Sequence, residues 1–186
     1  MLDRITDRIK MAMRLSDTDA ALFRYGLEAV VCDGTDFLAV LILSVFFHNT
    51  AETTVYIVLF GILRGHCGGY HAKTKTGCLL LYVSIYLAYV LCVTLIDQGL
   101  LYMAVWILSS AYACINAPAE HVFNPLSEEE HAHHHMMAVG ISVIYALLLV
   151  LTYTAGSHLY KTIAFISFAN ACSMEALKHT KEWRRI

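Results

Sequence analysis

The stretch CLLLYVSIYLAYVLCVTLI, residues 78–96, carries no charged side chain from end to end. A helix needs roughly 20 mostly apolar residues to cross the hydrocarbon layer of a membrane, so this run reads as a span. Working outward, residues 27–47, 100–115 and 137–153 give three more of the same kind. Two weaker candidates remain: 51–63 is short and stops at Arg64, and 158–172 is interrupted by Lys161. The expected fold is all-α, a polytopic membrane helix bundle of about six membrane segments. Of the 186 residues 58% are hydrophobic and 15% charged, a balance that excludes an ordinary water-soluble domain. The length suits a single domain, 1–186, divided into an amphipathic N-terminal helix (1–24), the bundle (27–172) and a cytoplasmic tail (173–186).

Orientation follows from the cations, because Lys and Arg of short loops accumulate on the cytoplasmic side. Every Lys and Arg except Lys161 falls in the N-terminal segment, in the loop holding Arg64, Lys73 and Lys75, or in the tail from Lys178 to Arg185. With six spans these all lie on one side, which places both termini in the cytoplasm and leaves very short loops outside. The first residues lack the basic stub and apolar run of a cleavable signal peptide. Instead Leu2, Ile5, Ile9, Ala12 and Met13 recur at helical spacing opposite Asp3, Arg4, Asp7, Arg8, Lys10 and Arg14. That pattern fits a helix lying in the membrane interface, or one packed on the cytosolic loops.

The six cysteines, Cys32, Cys67, Cys78, Cys92, Cys114 and Cys172, show no disulfide-framework spacing, and most read as small apolar fillers. Cys67 and Cys78 differ, because they belong to RGHCGGYHAKTKTGC (64–78), which gathers two Cys, two His, three cations and four Gly at a membrane boundary. A thiol attacks as thiolate, and cations, a histidine or a helix N-terminus favour that form. Cys78 opens the apolar run, so it is expected in the first turn of a helix, at the positive end of its dipole. His71 is the candidate base. On one continuous helix residues seven apart are separated by ~10 Å of rise, so the pair works only if the chain folds back between them. Gly65, Gly68, Gly69 and Gly77 supply the breaks. Backbone N–H groups at Gly68 and Gly69, or the Arg64 guanidinium, are the candidates for stabilising an oxyanion. Cys67, four residues before His71, is the competing nucleophile. The lysines read equally as positive-inside signals. A metal site at His66, Cys67, His71 and Cys78 is disfavoured, since the spacing matches no usual zinc pattern. Neither a metal nor another cofactor is expected.

Three stretches resemble the AgrB family, the accessory gene regulator membrane peptidases of quorum-sensing bacteria. They are RYGLE (24–28), GGYHAKT (68–74) with a cysteine seven residues after the histidine, and NAPAEHVFNPLSEEE (116–130). They occur in order, and the hydrophobic profile around them agrees. The resemblance implies His71 and Cys78 as the catalytic pair, selects Cys78 over Cys67, and marks Arg64 and Gly69 as important. It further implies an AgrD-like pro-peptide as substrate and partner, whose C-terminal tail is removed at the cytoplasmic side of the bacterial cell membrane. The enzyme would hold the remaining peptide as a thioester until an internal Cys or Ser closes a thiolactone or lactone ring, giving an autoinducing peptide. After Glu130 the chain departs from the family, reading HAHHHMM (131–137) where lysines are usual. Those histidines fit a solvated loop in which they stand in for cations, with pH sensing or metal binding as the functional alternative.

Acids within a membrane are costly and suggest function. Glu28, Asp33 and Asp36 lie in the first span, and any of them is a candidate to orient His71. Between Pro118 and Pro125, Glu120 and Asn124 are expected to face the same vestibule. The competing class is a metal-handling or small-solute transporter, although no second copy of the GGYH region suggests the repeats that transporters show. A noncatalytic scaffold is the third class. Besides the lipid bilayer, small-residue helix faces are compatible with a homodimer, and nucleic acid is not an expected partner.

Overall fold

The computed structural model describes residues 2–13, 16–72, 74–120 and 125–180. Lys73, Asn124, Arg14 and the tail cations Lys181, Arg184 and Arg185, all singled out above, lie outside them. The described residues form α1 (Leu2–Met13), α2 (Asp17–Phe46), α3 (Thr50–Cys67), α4 (Lys75–Leu95), α5 (Gly99–Asn116), α6 (Glu128–Thr154) and α7 (Leu159–Lys178). An all-helical membrane bundle is therefore the architecture.

Four of these helices, α2 (from Gly26), α4, α5 and α6, are long and apolar enough to cross a membrane. Only 18% to 28% of each apolar window is buried against protein. Leu38, Ile42, Leu80, Leu91, Leu108, Leu147 and Val150 point outward, as side chains must where the solvent is lipid. The two weaker candidates became α3 and α7, which are more polar for a physical reason. α7 packs on α3, α4, α5 and α6, and nearly every residue from Tyr160 to Asn170 is buried. A helix surrounded by protein has no lipid to satisfy, so Ser167, Asn170 and Ser173 are tolerated in it.

Two boundaries move. The amphipathic segment expected over 1–24 is broken, because Ser16 accepts a hydrogen bond from the Asp19 amide at 3.1 Å and starts α2 there. α1 packs against α2, with Lys10 paired to Asp17. The tail expected from residue 173 is still helix: α7 runs to Lys178, so Ser173 belongs to the bundle.

Tyrosines fill the centre. Tyr56, Tyr86 and Tyr89 are fully buried, and the polar tips of Tyr86 and Tyr89 find partners. The Tyr86 hydroxyl donates to Asn49 Oδ1 (2.9 Å), and that of Tyr89 bonds Thr162 Oγ1 (2.9 Å), tying α4 to α7. Tyr145 donates to the Leu59 carbonyl at 2.6 Å, tying α6 to α3. At the end of the bundle away from the GGYH loop, the buried Lys161 ammonium donates to Ile96 O (3.0 Å), Val93 O (3.4 Å) and Asp97 Oδ1 (2.9 Å). It thereby caps the last carbonyls of α4, the role a cation fills best at a helix C-terminus.

Candidate active site at the break between α3 and α4

The break lies where the glycines predicted it. α3 ends at Cys67, with Gly68 as its cap at φ 70° and ψ −165°, a backbone region essentially reserved for glycine. Gly68 bridges Ala119 in the α5–α6 connection. Ala119 donates its N–H to Cys67 O at 2.8 Å. A methyl group on Gly68 would meet Ala119 O at 2.4 Å, so the close approach itself demands glycine. On the far side Thr74 caps α4, accepting from the Gly77 amide at 3.0 Å.

The break brings His71 back onto the first turn of α4, where Cys78 Sγ lies 3.9 Å from His71 Nδ1. Cys78 is 4% exposed, with its amide bonded to Thr74 O. The thiol therefore sits at the amino end of α4, as the sequence led one to expect. Cys67 takes a different position. It is fully buried at the end of α3, with Asn170 of α7 beside it.

The three acids separate. Asp36 is 2% exposed and lies near the Cys78 thiol, and its Oδ2 has no hydrogen-bond partner. Asp33 accepts from the Tyr82 hydroxyl at 3.4 Å. Glu28 turns away and pairs with Arg24 on its own helix at 3.5 Å, since an exposed i,i+4 partner costs nothing to reach.

Arg64 is buried, and both nitrogens of its fork are engaged while Nε has no partner. Nη1 donates to Ser173 Oγ at 2.7 Å and Nη2 to the Tyr70 carbonyl at 2.5 Å. The Gly68 amide closes the last turn of α3 on Arg64 O (2.9 Å), which removes it from the oxyanion candidates and leaves Gly69 as the backbone one.

A cavity of about 150 Å³ opens beside this loop, lined by Arg64, His66, Gly69, His71, Glu120 and His134, among others. His71 lines it and Cys78 does not. Glu120 faces it as expected. The solvated-loop reading of the histidines is corrected for two of them. Ser127 and Glu130 form a capping box that starts α6 at Glu128, so the run 131–135 is helical, with His134 and His135 turned inward and His133 exposed. His134 Nδ1 lies 3.2 Å from His66 Nδ1, so one of the two carries the shared proton and the other accepts it. His135 Nδ1 donates to Ala117 O at 2.8 Å. No group of three or more metal-ligating side chains occurs among the described residues.

Ser173 was missed by the sequence reading, and His134 was flagged only as one of a cluster. Ser173 falls in line with Ser167 and Asn170, a polar stripe at helical spacing that could have flagged a protein-facing helix.

The curated protein FsrB of Enterococcus faecalis (strain ATCC 47077 / OG1RF) is 47% identical over 53 residues, 28% of this chain. The match spans only 22% of that relative's length. No solved structure matches. The family model described as Accessory gene regulator B, however, matches residues 2–177, nearly the whole chain. The chain therefore belongs to the AgrB family.

Proposed function

We propose that this membrane protein is a cysteine endopeptidase of quorum sensing, which cuts the C-terminal tail from a small AgrD-like pro-peptide and releases the rest as a ring. The observation that carries this reading is the 3.9 Å approach of Cys78 Sγ to His71 Nδ1 at the start of α4. Family membership supports a quorum-sensing role.

The chemistry runs as two acyl transfers. His71 takes the thiol proton, and Sγ attacks the scissile carbonyl carbon. The tetrahedral oxyanion is stabilised by the Gly69 amide and the positive end of α4. The C–N bond breaks, and the leaving amine takes the proton from His71, leaving a thioester on Cys78. An internal Cys or Ser of the bound peptide then loses its proton to His71 and attacks the thioester carbonyl. The C–S bond breaks, the thiolactone or lactone departs, and Sγ recovers the proton. Shielding from water favours this second attack over hydrolysis, and a thiol that is 4% exposed is well shielded. The basic end of the bundle, which holds the site, faces the cytosol in this reading.

The transporter reading has one observation in its favour, a second cavity of about 530 Å³ at the opposite end, beside Glu52, Asp97, His158 and Lys161. One experiment separates the two. The protein is reconstituted in liposomes with the pro-peptide encoded beside its gene, and adducts are sought by mass spectrometry. Adduct and cleavage that survive Cys67→Ala but vanish with Cys78→Ala and His71→Ala support the peptidase. Activity in Cys78→Ala removes the nucleophile, and a wild type inert to the peptide favours transport.

A further inference from the structure

Around the loop that carries His71, one side chain of α7 holds more of the geometry than any other. Ser173 Oγ accepts from Arg64 Nη1 (2.7 Å) and from the Tyr70 amide (3.0 Å), and Ser173 O also accepts from the Tyr70 amide (3.0 Å). Arg64 closes the ring by donating to the Tyr70 carbonyl (2.5 Å). Both backbone groups of the residue immediately before His71 are thus fixed by one serine and one guanidinium. Gly69 is pressed onto the same node: a methyl group there would meet Ser173 Oγ at 2.6 Å and Arg64 Nη1 at 2.9 Å.

We infer that Ser173 is a positioning residue, which acts through Arg64 and the Tyr70 backbone to hold His71 against Cys78. The role of the pair rests on the peptidase reading above; the placement of His71 does not. A thiol–imidazole distance of 3.9 Å is already at the limit of a sulfur hydrogen bond, so a small drift of Tyr70 breaks it. The hydroxyl matters rather than the bulk. Without Oγ, Arg64 loses its anchor on α7, whereas the Tyr70 amide keeps Ser173 O, so the loop stays docked but is no longer locked.

The test compares Ser173→Thr with Ser173→Val, which share a shape and differ in the hydroxyl. Two readouts are taken in liposomes. One is the pro-peptide adduct rate. The other is the pH profile of iodoacetamide alkylation at Cys78 without substrate, with Cys92 alkylation as the check on folding. Ser173→Thr is expected to stay within about threefold of wild type, and Ser173→Val to lose about 10- to 100-fold in adduct rate. The Cys78 profile of Ser173→Val should follow that of His71→Ala, with Cys92 unchanged. Coincidence of the Thr and Val profiles, or a Val profile equal to wild type, overturns the inference. A general rise in Cys92 labelling with both variants does so as well, since it would make Ser173 a packing residue only. If wild type forms no adduct, the peptidase reading fails while the alkylation arm still decides the role of Ser173.

Discussion

Replacing Gly68 by alanine should disable the site while leaving the bundle folded. Gly68 adopts φ 70° and ψ −165°, where a side chain costs about 1–3 kcal/mol. The new methyl would lie 2.4 Å from Ala119 O, well inside the 3.0 Å below which real contacts essentially never fall, and such overpacking adds about 1–3 kcal/mol more. The sum, about 2–6 kcal/mol, is a large part of a domain's usual stability. The least costly response is for residues 68–71 to lift from Ala119, breaking its 2.8 Å bond to Cys67 O and carrying His71 with them. A displacement of about 1 Å at a reacting group costs on the order of 100-fold in rate. The assay is adduct formation with the pro-peptide in liposomes, alongside thermal unfolding in detergent. Gly68→Ala should lose about 100-fold in rate and lower the midpoint by several degrees. Gly140→Ala, at a position with open space around it, should leave the rate unchanged. A Gly68→Ala protein that acylates at the wild-type rate would refute the argument.

Lys161→Met leaves the part-buried carbonyls of Val93 and Ile96 without this donor, which should cost about 1–3 kcal/mol in thermal unfolding, while adduct rate per folded molecule is unchanged. The Lys161 hydrogen bond, and then its charge, hold the Asp97 carboxyl below its usual range. A depressed value means stability that is present above the ordinary carboxylate pKa of about 4 and is lost as pH falls through the lower, folded one; Asp97→Asn should flatten that acid limb of the unfolding midpoint. Among the three membrane acids, Glu28→Gln removes a pair worth about 0.5 kcal/mol at most and spares the adduct rate, whereas Asp36→Asn, beside the thiol, should slow it by about tenfold. Tyr89→Phe deletes the bond to Thr162 and should cost about 1 kcal/mol of stability by the same unfolding assay.

What could be read in advance follows from what each residue faces. α2, α4, α5 and α6 were legible because lipid-facing surfaces must be apolar, and hydropathy measures that requirement. α7 was faint for the converse reason: enclosed by four helices, it carries Lys161, Asn170 and Ser173, which lowered its hydropathy and cut it short at residue 172. Cys78 and His71 were legible together because glycines, cations and the start of an apolar run all fell within one stretch. The assignment of the acids was not. Glu28, Asp33 and Asp36 have the same chemistry in the sequence, and only the neighbours Arg24, Tyr82 and Cys78 separate them. The histidines of α6 could be placed only once the capping box at Ser127 fixed where that helix begins.

The two members of the pair are held by different parts of the fold. Cys78 moves with α4, which Thr74 caps and which Tyr89 ties to Thr162 of α7. His71 moves with the loop, which Arg64 of α3, Ser173 of α7 and Ala119 of the α5–α6 connection hold. α7 is therefore the common reference, since it anchors the thiol's helix near its middle and the histidine's loop near its end. A rigid, buried helix is the element best suited to fix two groups supplied by separate pieces of chain, because it has the least freedom to move. The polar stripe on α7 is thus explained by function as much as by burial, and the most buried helix of the bundle is the one on which the geometry of the site depends.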